Sequence, residues 1–527
     1  METTFADFAF SGAVALIAAV ILRHFGIPIA LPLIGVGVVV AISPWGPDYL
    51  NDPEIVLVAL LAPLVFGEAL SSSYLDLRKV SRPILILALG LVVATTAVIG
   101  GVAVWVAAMP LAAALALGAV LAPTDAVAVS TVAKRASLPR RLISILEGES
   151  LVNDGTGLTL LRVAVVTAIA GSMTALEVGR IFALAVAAGV GVGVAAGWVL
   201  SQILRRTRDA VAGNALVLVA PFAIYLGAEA LEGSGILAVV VAALWIAHAQ
   251  NSEPGASGRL QANYVWKHLT FIFQAVAFFS IGLELPEVLE RLPSGQLPLI
   301  PGFAAIVLLA LILTRFIFVF SMQGLAQLRP GQGHTREWIS GAILVSWAGA
   351  RGPVSGLAAF SIPLTVSQGA DFPFRDVILA TTFCIIVVTL LLSLTLAPLA
   401  RALRLKGEDT SADARRIDAQ LARAALDRLT VAAEEADIAG EPLHPEVVRR
   451  LRNDAVRRIE HDETSSIDKR SSADINQQML SVALSLLHAE QTELIRIRDE
   501  EGVPDAVIRP LMRDLDVRAE ALKAHLR

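Results

Sequence analysis

Charge is what this chain has least of. Only 17% of its 527 residues are Asp, Glu, Lys or Arg, while 55% are hydrophobic and the mean hydropathy is +0.69. That balance excludes an ordinary soluble globule and leaves a polytopic membrane protein. Cysteine is nearly absent: Cys384 stands alone inside an apolar run, so one chain holds neither a disulfide nor a cysteine metal site. No basic tract occurs, and a net charge of -5 gives no reason to expect nucleic acid as a partner. There is no HExxH, no GxSxG and no pair of histidines within one apolar span, which argues against a membrane-embedded hydrolase. The opening METTFADFAF lacks the positive region that precedes a signal-peptide core, so the first apolar run is expected to remain as a membrane helix.

What is present is a succession of apolar windows near 9–22, 27–43, 54–71, 83–107, 110–133, 143–170, 178–203, 211–230, 235–250, 263–284, 298–324, 337–361 and 376–402. These thirteen windows predict an all-α polytopic protein. Basic residues gather in or beside alternate loops: Arg23; Arg78, Lys79 and Arg82; Lys134, Arg135, Arg140 and Arg141; Arg205, Arg206 and Arg208; Arg259 and Lys267; Arg329 and Arg336. The other loops carry mainly acids, among them Asp48, Asp52, Glu54, Glu177, Glu229, Glu232 and Glu284. Thirteen spans with the N-terminus outside and the C-terminus cytoplasmic keep every basic loop on one side. From Gly407 the composition turns polar, so residues 1–405 are expected to form the membrane domain and 406–527 a cytosolic helical tail. Helical periodicity near 411–437, 444–463, 472–500 and 504–526 is broken at Gly440–Pro442 and Gly502–Pro504. Nothing in the tail names its ligand; regulation, dimerisation and nucleotide binding all fit.

The membrane part is organised around ISILEGESLVNDGTGLTLLRVAVVTAIA, residues 143–170, which is long and apolar enough to span yet carries Glu149, Ser150, Asn153 and Asp154. A carboxylate at mid-membrane costs about 3 kcal/mol on insertion scales, so such groups are kept for a purpose. Glu149 and Asn153 stand four apart, as do Ser150 and Asp154, which stacks two polar pairs on adjacent helix faces. They are candidate ion or proton groups; hydrogen bonds that only hold the bundle together are the plainer reading.

Two other spans are interrupted beside a charge. The fifth contains Ala122-Pro123-Thr124-Asp125 and the twelfth Gly349-Ala350-Arg351-Gly352-Pro353. Proline removes a helical donor and glycine loosens the turn, so both spans are expected to unwind where Asp125 and Arg351 lie. If the seventh span is a linker, spans one to six and eight to thirteen form two inverted six-helix repeats, with the broken, crossing spans in corresponding places. That arrangement points to a secondary transporter with its site at the crossing. Glu68, in the third span, is a further site candidate, with snorkelling to the inner face as its alternative. Arg315 lies at the depth of Glu149, which makes a structural ion pair between them plausible. Arg162 is expected to snorkel. Gly193 and Gly197 read as close helix packing.

Through Pro123-Thr124-Asp125, Glu147-Gly148-Glu149-Ser150-Leu151-Val152-Asn153-Asp154, Ser346-Trp347-Ala348-Gly349-Ala350-Arg351-Gly352 and Phe66-Gly67-Glu68, the chain resembles the monovalent cation:proton antiporter-1 family, the sodium/proton exchangers. Leu511-Met512-Arg513-Asp514-Leu515-Asp516 is similar to the cytosolic extension of bacterial members. The resemblance implies that Asp154 binds cation and proton in alternation, and that Asn153, where electrogenic relatives carry an acid, marks electroneutral one-for-one exchange. It implies Na+ or another monovalent cation held by Asp154, Ser150 and the Thr124 carbonyl with Glu68, an ion pair of Glu149 with Arg315, and Arg351 as the arginine of the second broken helix. Ala126 departs from the family, which carries a proline after the aspartate. A homodimer in a bacterial plasma membrane, without a cofactor, completes the expectation. Its rivals are a K+/H+ exchanger of the same fold and a pH or ion sensor that has lost transport.

Overall fold

The computed structural model describes residues 2–43, 57–125, 138–171, 174–207, 209–251, 256–293, 295–327, 336–366, 370–405 and 411–438, with isolated tail positions from 444 onward. Among these residues the only extended pairing is a single bridge between Thr365 and Asp371; everything else with regular structure is helix. The chain divides into two compact units, Met1–Glu408 and Asp409–Arg527.

In the first unit the helices follow in order: α1 Glu2–His24, α2 Ala30–Ala41, α3 Ala62–Ser71, preceded by a π-helical turn over Leu57–Leu61, and α4 Tyr74–Lys79. Then come α5 Ser81–Ala107, α6 Leu111–Leu121, α7 Arg140–Ala170, α8 Ala175–Arg206, α9 Ala210–Glu229 and α10 Gly235–Asn251. The series closes with α11 Ala256–Arg291, α12 Ile300–Gln327, α13 Arg336–Trp347, α14 Pro353–Phe360, α15 Arg375–Ser393 and α16 Leu396–Ala402. Local sequence sets several starts. Thr174 accepts from the Glu177 amide while the Glu177 carboxylate accepts from the Thr174 amide, a reciprocal cap that opens α8. Asp209 caps α9 through the Val211 amide at 2.9 Å.

Helix occupies part of every apolar window of the sequence, yet seven helices among the described residues are long and apolar enough to cross a membrane on their own. Five more are apolar but shorter, α6 included. In the fifth window α6 stops at Leu121 and 122–125 are unwound, and the twelfth window divides into α13 and α14. Residues 126–133 of the fifth window, Ala126 among them, lie outside the described residues, as do Asp48, Asp52, Glu54, Lys134, Arg135, Arg208 and Arg329.

One apolar cluster joins α5, α6 and α7 with α12, α14 and α15 through Ile99, Leu117, Leu161, Val307, Ala358 and Ile378. Another packs α3, α9, α10 and α11 through Phe66, Ile224, Val239 and Phe279. Glycine sets how closely helices meet. A methyl at Gly37 of α2 would fall 2.2 Å from the Phe279 carbonyl, and one at Gly282 of α11 would fall 2.0 Å from that of Ile34, so these two helices touch backbone to backbone. Gly193 and Gly197 also bring α8 close to α10, where a methyl would fall 2.6 Å from the Ala238 carbonyl and 2.9 Å from Trp245 Cβ, respectively. On α8, Val190, Val194 and Trp198 form an exposed stripe at helical spacing, a surface suited to hydrocarbon rather than water.

The second unit is described chiefly by α17, Ser411–Ile438, on which Arg428 bonds Glu435 at 3.0 Å. The remaining periodic stretches of the tail and the motif 511–516 fall largely or wholly outside the described residues.

Candidate functional site

The site is built where α6 and α13 stop. Pro123 has no amide hydrogen to continue α6, and from Ala122 to Asp125 the chain runs without helical structure. Residues 348–352 do the same between α13 and α14, and Pro353 opens α14 at the first helical position, where its missing donor costs nothing. The two unwound segments cross and bond: the Asp125 amide donates to the Ala350 carbonyl at 2.8 Å. Gly352 makes that approach possible, since a Cβ there would lie 2.3 Å from Asp125 Oδ2.

Arg351 ties the crossing to both neighbours. Its Nε donates to the Leu121 carbonyl at 2.9 Å, its Nη1 donates to the Gly349 carbonyl, and its amide donates to Thr389 Oγ1 on α15 at 3.0 Å. A guanidinium thus faces the carbonyl end of α6, where the helix dipole is negative. The group is 5% exposed, so the attraction is weakly screened.

α7 passes this crossing with its polar residues turned inward: Glu149, Ser150, Asn153 and Asp154 are all at most 2% exposed. Gly157 lets it in, because a methyl there would meet Pro123 at 2.4 Å. Arg315 of α12 donates to both carboxylate oxygens of Glu149, at 2.5 and 2.9 Å, and to the Val345 carbonyl at 3.0 Å. The chain of bonds continues through Thr124, whose hydroxyl donates to Glu149 at 3.4 Å and accepts from the Asn153 amide nitrogen at 2.9 Å. Asn153 and Glu149, one turn apart on α7, therefore both bond the hydroxyl of the unwound Thr124.

Asp154 opens instead onto a small cavity, shared with Glu68, Thr124, Asp125, Ser150 and Ser355. Glu68, near the end of α3, is partly exposed and bonded by the Gln274 side chain of α11. Residues bearing carboxyl and hydroxyl groups thus gather around one small space, a donor set suited to a hard cation or a proton. Among the described residues no cluster of three or more His, Cys, Asp or Glu is placed to hold a resident metal ion.

All nine residues singled out in the sequence fall at the crossing or against it, in two groups. Glu68, Thr124, Asp125, Ser150 and Asp154 line the cavity. Glu149, Arg315, Arg351 and Asn153 brace it from behind. Arg162, expected to snorkel, has a side chain 42% exposed that reaches Glu229 at 2.6 Å and the Gly233 carbonyl at 3.3 Å. The turn between α9 and α10 comes close enough to neutralise it, a tertiary contact that spacing along α7 does not reveal. Sequence reasoning also passed over Gln274, Thr389 and Ser355. A glutamine in FIFQAVAFFS was a visible anomaly in an apolar run, whereas threonine and serine are too common in membrane helices to stand out.

Comparison with known proteins follows the same lines. The model of the family described as "Sodium/hydrogen exchanger, transmembrane" matches residues 12–402. An uncharacterized Na(+)/H(+) exchanger of Mycobacterium tuberculosis is 32% identical over 96% of this chain and 94% of its own length. A sodium, potassium, lithium and rubidium/H(+) antiporter of Bacillus pumilus is 34% identical over 71% of this chain and 57% of its own. Among solved structures, the sodium proton antiporter MjNhaP1 from Methanocaldococcus jannaschii at pH 8 superposes with a TM-score of 0.62 at 19% identity, covering 77% of this chain and 99% of that one; it shares the fold. Family model, full-length relative and fold agree with the site assembled at the crossing: the chain belongs to the sodium/hydrogen exchanger family.

Proposed function

We propose that the protein is a secondary antiporter that exchanges Na+ or Li+ for H+, one for one and without net charge movement, by competition of cation and proton for Asp154. The observation that carries this reading is the small cavity in which Asp154 meets Ser150 and the unwound Thr124-Asp125 segment. The Asp154 carboxylate, the Ser150 hydroxyl and the Thr124 carbonyl would hold the cation, with Glu68 and Asp125 adding negative potential. A carboxylate occupied by a proton cannot hold the cation, so each carrier state carries one or the other. Exchange then follows if the empty, ionised site does not cross the membrane.

Asn153 supports the neutral stoichiometry. Its carboxamide does not ionise, so this position supplies no second titratable group, and its nitrogen instead bonds Thr124. Glu149 with Arg315 and Arg351 with the end of α6 would brace the two broken segments while the site faces either side. The cluster of α5, α6, α7, α12, α14 and α15 would be the moving body, against a scaffold formed by the other helices that also joins two copies into a homodimer. Thirteen spans in two inverted repeats, the N-terminus outside and the tail in the cytosol of a bacterium, fit the loop charges.

A K+/H+ exchanger is the second reading, and the name of the Bacillus pumilus relative, which spans sodium, potassium, lithium and rubidium, favours keeping it. Proton flux in proteoliposomes with an internal pH dye tests both. Sodium- or lithium-driven flux whose rate ignores the membrane potential is the expected result. Flux with potassium alone, or a rate that follows the potential, would replace the ion or the stoichiometry, and no flux with any cation would return the sensor reading.

A further inference from the structure

We propose that Ser355, on the second broken helix, is a cation-contacting residue of the exchange site and a determinant of its affinity. The inference rests on the reading of Asp154 as the exchange group, and it adds a contact from the opposite side of the crossing.

Several buried or half-buried hydroxyls in or at the ends of helices satisfy themselves locally. Thr156, Thr159 and Thr314 donate to carbonyls four residues back, and Ser361, Thr389 and Ser393 to carbonyls three back. Ser355 is the third residue of α14, so the positions three and four before it are Gly352 and Arg351, in the unwound segment rather than in a helix. Its side chain is 1% exposed, and its Oγ has no hydrogen-bond partner among the described residues. Leaving such a group bare is costly, so a partnerless buried hydroxyl beside a polar cavity is a candidate contact for what the cavity holds.

Other buried hydroxyls share this lack, among them Ser11, Thr96, Ser280, Ser346, Thr381 and Thr382. Among the described residues, Ser355 is the one of this set that lines the cavity with Asp154, Glu68 and Ser150. A hydroxyl oxygen is a hard, neutral ligand: it adds to cation affinity without adding charge. The one-for-one competition at Asp154 is therefore unaffected, while the concentration at which the cation wins is lowered. The position also matters. Thr124, Ser150 and Asp154 reach the cavity from α7 and the end of α6, so without Ser355 the α14 side would offer a bound cation no side-chain oxygen.

The test measures cation-driven proton flux in proteoliposomes of the full chain, for Ser355→Ala, Ser355→Cys and Ser355→Thr beside the parent and Asp154→Asn. Loss of one neutral ligand should raise the sodium concentration for half-maximal flux about five- to tenfold in Ser355→Ala, with the maximal rate kept. Ser355→Thr, which keeps the oxygen, should restore most of that affinity. Ser355→Cys guards against a packing defect, because it fills nearly the same volume with soft sulfur: sodium affinity should fall while that for the softer thallous ion falls less. Unchanged half-saturation in Ser355→Ala and Ser355→Cys overturns the assignment, as does a loss confined to the maximal rate. Continued exchange by Asp154→Asn would instead remove the underlying reading, a different outcome from failure of Ser355 alone.

Discussion

At the scale of the residue, the organising fact is that buried charges at the crossing are matched unequally. Glu149 has Arg315 bonded to both of its oxygens, whereas Asp154 faces a cavity. A matched pair resists change and an acid beside a cavity can exchange its occupant, which is the ground for proposing a bracing role for the first and a carrying role for the second. Asp154→Asn keeps the shape of the side chain and removes its charge. It is expected to abolish cation-driven proton flux while the protein still elutes as a single species with an unchanged melting temperature; flux at the parent rate would refute the role. For the pair the expectation is reversed. Breaking one partner of a buried ion pair costs about 3–5 kcal/mol, because the other charge stays buried alone. Glu149→Gln and Arg315→Met should each lower the melting temperature markedly, and the double variant should lose less than the two together. Strictly additive losses would mean that the two charges do not support each other.

At the scale of the element, two helices are made useful by being broken. Pro123 ends α6 and Pro353 opens α14, and the unwound backbone is satisfied by its counterpart, Asp125 N–H on Ala350 and the Arg351 side chain on Leu121. Unwound backbone at membrane depth survives only when enclosed in this way. Gly352 is the narrowest point of the arrangement. Gly352→Ala would set a methyl 2.3 Å from Asp125 Oδ2, so the segments must separate. We expect a large loss of exchange and of thermal stability. Gly302→Ala is the control, since a methyl there meets nothing within 4 Å and should change neither. Equal effects of the two substitutions would show that the crossing tolerates looser contact than its geometry suggests.

At the scale of the whole molecule, the proposed competition for one carboxylate has a signature in solution. Where protons occupy most sites, the cation concentration for half-maximal flux should rise about tenfold for each unit of falling pH, and level off once the carboxyl is ionised. The maximal rate at saturating cation should stay constant. A pH effect on the maximal rate alone, with constant half-saturation, would point to a separate proton sensor, for which the tail would then be the first place to look.

Some of this was legible before any coordinates. A bilayer accepts few charges, so each one retained in an apolar run stands out, and Glu68, Asp125, Glu149, Asp154, Arg315 and Arg351 could be picked out on that ground alone. Proline and glycine act on their own backbone, so the interruptions at 122–125 and 348–352 were equally local signals. Pairing was another matter. That Arg351 serves the Leu121 carbonyl rather than a carboxylate, that Arg162 meets Glu229, and that Thr124 sits between Asn153 and Glu149 depend on how distant helices pack. Ser355 shows the division most plainly: serine occurs throughout membrane helices, and only its place in the first turn after a break, beside the Asp154 cavity, sets it apart. Cost along the chain is written in residue type and spacing; who neutralises or satisfies each costly group is decided in three dimensions, because its partner can come from any helix that packing brings within hydrogen-bond reach.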